Sequence, residues 1–135
     1  METIKFDQDI KVMYADAASF PNGVLAAHQK LHTLFPFSTK RRYFGLSRPE
    51  NGKIEYKAAA EVLESGEAEK HNLPTMIIKK GDYHATTIND FKDDVPAIQQ
   101  AFNNLLAQPD IDPEGYCVEE YTTMDDMVCM VRIKD

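Results

Sequence analysis

The sequence predicts an α+β domain in which tandem duplicated βαββ modules form one curved antiparallel sheet with two helices and a central cleft. Three observations predict it. Strand-period and helix-period segments alternate in the order strand, helix, strand, strand, and then repeat that order. A proline, Pro21 or Pro96, stands near the start of each expected helix. Between the halves, Glu64 to Asn72 is polar throughout, as an exposed connection should be. The whole chain, 1–135, reads as a single domain, with repeat one at about 9–63 and repeat two at about 75–134.

In the first half, Ile10, Val12 and Tyr14 alternate along a strand from Asp9 to Ala17. Ser19 is a candidate N-cap for a helix, along which Val24, Leu25, His28, Leu31, Leu34 and Phe35 form an apolar stripe. Pro36 to Thr39 ends it. Arg42 to Ser47 and Ile54 to Leu63 are the paired strands, and Asn51-Gly52 between them is a hairpin signal. On the second of these strands Tyr56, Ala58, Ala60 and Val62 share a buried face. Its alanines leave space either for a pocket under Tyr56 or for packing by Phe35 or Phe102.

The second half opens with Thr75 to Thr87, read as one extended stretch bent at Gly81-Asp82. Asp93 or Asp94 caps a helix beginning near Pro96, whose apolar positions are Val95, Ile98, Phe102, Leu105 and Leu106. Gly115 to Thr122 and Met127 to Ile133 complete the pattern around a polar turn with Asp125 and Asp126. Two such halves side by side leave a cleft on their pseudo-twofold axis, a common place for a ligand.

Composition excludes several classes. Fifteen Lys and Arg against 22 Asp and Glu give a net charge of −7, which repels nucleic acid and anionic membrane. The same field favours a cationic ligand or a basic protein partner. No stretch approaches the ~20 apolar residues of a membrane helix, and the first residues lack the pattern of a secretory signal, so a cytoplasmic location is expected. Cys117 and Cys129 form no CxxC motif and read as reduced packing residues, although neighbouring strands would bring them near each other. His28 and His32 are spaced i, i+4, yet there is no HExxH and no third ligand, so packing is the better reading and no metal or cofactor is expected. There is no GxSxG elbow, Walker loop or GxGxxG turn. Arg41-Arg42-Tyr43-Phe44 is too small a basic-aromatic patch to bind single strands.

Tyr116-Cys117-Val118-Glu119-Glu120-Tyr121 is the most informative stretch. On a strand, adjacent side chains point to opposite faces, so Glu119 and Glu120 cannot share an environment. Either one carboxylate projects into the interior or a cleft, where it needs a partner, a proton or a cationic ligand, or the strand is an edge and both are hydrated. Periodicity leaves both readings open.

Several short pieces, in order and spacing, resemble the GyrI-like small-molecule-binding family, the effector-binding domain of bacterial transcription activators. They are Tyr43-Phe44-Gly45-Leu46 before Ile54 to Val62, then Lys80-Gly81-Asp82-Tyr83-His84-Ala85, then Val118-Glu119-Glu120-Tyr121 before Met127 to Ile133. The resemblance spans nearly the whole chain and implies a stand-alone member without a DNA-binding domain. It implies that Glu119 lies at the base of the cleft, with Glu120 outward and Val118 in place of a commoner aromatic. Tyr121, Tyr56 and Tyr83 then contact the ligand, a cationic or amphipathic aromatic molecule, in a sensor, multidrug binder or sequesterer. Two alternatives go with it: a hydrolase using Glu119 as general acid or base, and an acidic gyrase-inhibitor-type protein with a basic partner.

Overall fold

A computed structural model describes residues 1–135. The chain runs through β1 (Glu2–Phe6), β2 (Ile10–Asp16), α1 (Val24–Leu34), β3 (Tyr43–Glu50) and β4 (Lys53–Glu61). It continues with the single-turn α2 (Glu67–Lys70), β5 (Thr75–Ile78), β6 (Gly81–Ile88), a 3₁₀ turn at Phe91–Asp93, α3 (Val95–Leu106), β7 (Cys117–Tyr121) and β8 (Met127–Arg132). All eight strands form one antiparallel sheet in the order β1-β6-β8-β7-β3-β4-β2-β5. No helix is long and apolar enough to cross a membrane.

The strand order dictates the shape. In a flat sheet β6 and β5 would lie six strand spacings apart, about 29 Å. Only Lys79 and Lys80 join them, a link whose reach is about 11 Å. The sheet must therefore curl until its margins approach each other, and the three-residue link between β1 and β2 imposes the same closure. Side chains from both margins meet inside the resulting half-barrel: Phe6, Ile10, Ile78 and Tyr83 pack with Phe44, Leu46, Val118 and Met130 in one cluster.

The two long helices, α1 and α3, lie on the other, convex face. α1 covers β2 and β4, and α3 covers β6 and β8. Two separate clusters result. Ala27, Leu31 and Phe35 pack on Met13, Ala58 and Ala60, whereas Ala101, Phe102 and Leu105 pack on Met127, Cys129 and Val131. The central pair β7 and β3 lies between the helices, and its convex side becomes the floor of a cleft.

Several expectations change. The N-terminal segment, which shows no predictive periodicity, is the edge strand β1. Thr75 to Thr87 is two strands, not one bent strand, because β5 pairs with β2 and β6 with β1 and β8. The first helix begins at Val24, with Gly23 at its N-cap instead of Ser19, and Leu25 is 67% exposed rather than part of the stripe. β3 runs on to Glu50, and the Asn51-Gly52 hairpin forms with φ of 53° and 78°, as its residue types favour. The alanines of β4 are packed by α1, and Ala59 on the opposite side is fully buried as well.

Candidate functional site

The cleft floor is built by register. Gly45 on β3 lies directly opposite Glu119 on β7 and opposite Ala58 on β4. Glu119 shares its face with Cys117 and Tyr121, while Val118 and Glu120 point into the half-barrel side. Tyr56, two residues before Ala58, reaches across Gly45. A Cβ at position 45 would collide with the Tyr56 hydroxyl and Glu119 Oε1 together, so this glycine makes the contact possible.

The Tyr56 hydroxyl donates to Glu119 Oε1 at 2.6 Å and the Tyr121 hydroxyl donates to the same oxygen at 2.9 Å. The two hydroxyl oxygens are 3.2 Å apart. His28, projecting from α1, places Nε2 2.8 Å from the Tyr56 oxygen and 3.4 Å from that of Tyr121. Since both tyrosine protons go to Glu119, His28 carries its proton on Nε2 and donates it to Tyr56. Glu119 Oε2 takes no hydrogen bond from the protein and reaches solvent.

Burial governs the charges. It raises the Glu119 carboxyl above the usual range, against the two tyrosine hydrogen bonds, which favour the anion. Burial, and then the adjacent His32, lower His28 to about 4, so its ring is neutral at pH 7. Tyr56 and Tyr121 are held well above 10 by burial and by Glu119. No hydrogen-bonding partner of Glu119 carries positive charge, so its ionisation leaves an unneutralised anion at the cleft floor.

Aromatic rings surround that carboxyl. Phe20, 43% exposed, stacks on Tyr56 at 6.0 Å, and the edges of His28 and Phe91 meet Tyr121 at 5.0 and 5.5 Å. Cys117 and Cys129 flank the site as free thiols, raised by burial to about 11 and about 12, so neither is a ready nucleophile. No group of three His, Cys, Asp or Glu side chains is arranged to hold a metal ion.

No protein-family profile and no curated protein matches the chain in sequence. Its fold has solved counterparts. An integron cassette protein from the mobile metagenome of Vibrio cholerae superposes with a TM-score of 0.70 at 11% identity, covering 98% of this chain and 95% of the other. The structure of SAV2435 bound to tetraphenylphosphonium superposes at 0.67, with 11% identity and coverage of 98% and 93%. A hydrolase from Listeria innocua reaches 0.51 at 8% identity, with coverage of 98% and 90%. At these identities the likeness is one of fold alone.

Of the residues singled out from sequence, Glu119, Tyr121 and Tyr56 converge. Tyr83 does not join them: it lies on the concave side of β6, its ring 4.8 Å from Phe6 and its hydroxyl donating to Lys79 O at 2.6 Å. Glu120 is not simply outward, but accepts two 2.7 Å hydrogen bonds from Arg42 on the concave side. His28, Gly45, Phe20 and Phe91 were missed. The available signals were a polar residue within an apolar helical stripe and a glycine inside an aromatic-rich strand.

Proposed function

We propose that this chain is a GyrI-like domain, one unit over 1–135, that binds an organic cation with a hydrophobic aromatic body against Glu119. The observation that carries the reading is the unpaired Oε2 of a partly buried carboxyl, ringed by aromatic side chains and without a cationic neighbour. A ligand cation would neutralise Glu119 where water is scarce, and faces of Tyr and Phe add cation–π attraction of about 0.5–2 kcal/mol. The two tyrosines hold the carboxyl in place, His28 supports Tyr56, and Phe20 and Phe91 extend the aromatic surface through their contacts with Tyr56 and Tyr121. Tetraphenylphosphonium, the ligand of SAV2435, is a lipophilic cation and supplies a probe. We expect it to raise the melting temperature of this protein in a dose-dependent manner, and the Glu119→Gln variant to lose that response while remaining folded. An undiminished response in Glu119→Gln would remove Glu119 from the binding role.

A second reading is favoured by the raised Glu119 carboxyl beside two hydroxyl donors, a set that suits a general acid or base acting on an electrophile. Turnover of a bound electrophile that vanishes in Glu119→Gln, with binding retained, would distinguish a hydrolase from a sensor or sequesterer.

A further inference from the structure

Two cavities, of about 670 and 270 Å³, open on the concave side of the sheet, and neither includes Glu119. They lie toward opposite ends of β7, one bordered by Glu120 and the other by Val118. The larger is lined by four carboxylates and three cations, and with Arg42 engaged by Glu120 its remaining charges are mixed in sign, carboxylates outnumbering lysines. The smaller differs in chemistry. Leu46, Val118, Ile78 and Tyr83, each no more than 4% exposed, form an apolar floor. Its rim carries Arg48, Lys79 and Arg132 together with Asp112 and Glu114.

The cations of this rim are not equally committed. Arg132 is bound by Asp112 at 3.1 Å and Asp135 at 3.0 Å. Arg48 pairs with Glu50 at 2.7 Å, yet its side chain remains one-third exposed, with the guanidinium over the Tyr116 ring at 4.3 Å. Lys79 is exposed and forms no ion pair. We propose that this cavity is a second binding site, which takes a small amphipathic anion, namely an aromatic or short aliphatic carboxylate. The apolar body lies against Met76 and Tyr116, above the buried floor of Leu46 and Val118, and the carboxylate faces Lys79 and the open edge of Arg48. The volume equals that of about nine waters at ~30 Å³ each, enough for one bicyclic ring. The site is independent of the cation reading, because the sheet separates the two.

The test uses the full chain with 1-naphthoate and its uncharged match, 1-naphthalenemethanol, followed by NMR of the Leu46, Val118 and Met76 methyl groups. We expect saturable shifts with naphthoate, weaker binding of the alcohol, and an affinity loss of about fivefold or more in Lys79→Glu, with a similar trend in Arg48→Gln. Both variants alter rim side chains outside the buried floor. Tetraphenylphosphonium should not compete. Absence of saturable methyl shifts at millimolar naphthoate would overturn the proposal. So would equal binding of acid and alcohol with no effect of Lys79→Glu. Loss of naphthoate binding in Glu119→Gln, with Lys79→Glu unaffected, would likewise overturn it by locating the anion in the cleft.

Discussion

His28 joins stability to site geometry at the scale of one ring. Its folded-state value of about 4 lies below its ordinary 6.5, so the folded protein resists protonation there. For a group lowered in this way, stability is fully present above about 6.5 and is lost as pH falls from 6.5 toward 4. The loss should approach the order of 3 kcal/mol, visible in urea midpoints measured across that range, and should be much smaller in His28→Gln. Gly45 makes a second residue-scale test. Gly45→Ala inserts a methyl group between the Tyr56 hydroxyl and the Glu119 carboxyl, a collision that outweighs the usual advantage of alanine over glycine within a strand. We expect a destabilisation of about 1–3 kcal/mol by denaturant titration and loss of cation binding, since the two groups must part. This residue pattern was only partly legible beforehand. Glu119 and Tyr121 share one strand, where alternation puts them on one face, whereas His28 looks like any polar member of a helical stripe until the helix is docked.

The element that matters most is β7, which lies in the middle of the sheet and presents a different carboxylate to each face. Glu119 meets the helix side, and Glu120 anchors β7 to β3 through a bidentate pair with Arg42, whose guanidinium also covers the Phe6 and Phe44 rings. Such geometry lifts the pair above an ordinary surface ion pair, although Arg42 retains 39% exposure and is partly screened. Glu120→Gln should cost about 1 kcal/mol of stability, less at high salt, and should leave tetraphenylphosphonium binding intact because its side chain is on the far side of the sheet. The strand's alternation was readable from sequence. Its central position was not, and that position removes the edge-strand alternative in which both glutamates would be hydrated.

Closure of the half-barrel is a property of the whole molecule, and β1 completes it. Phe6, 7% exposed, comes from the strand that periodicity left unassigned, and it packs against Tyr83 from the second repeat. Phe6→Ala should cost about 3–5 kcal/mol in urea unfolding, a core-sized loss for a chain-terminal residue, with cation binding preserved at temperatures where the variant is folded. The sequence by itself determined the α+β class, the repeated order of elements, the Asn51-Gly52 hairpin and the separation of Glu119 from Glu120, because each follows from local periodicity or turn chemistry. Only the tertiary structure decided that Thr75 to Thr87 divides between opposite margins of the sheet, that Tyr83 belongs to the concave core, and that His28 completes the cleft. Those outcomes depend on contacts between segments distant in the chain: a two-residue link too short for a flat sheet brings the margins together, and the docking of α1 on β2 and β4 carries an imidazole to a tyrosine 28 positions away.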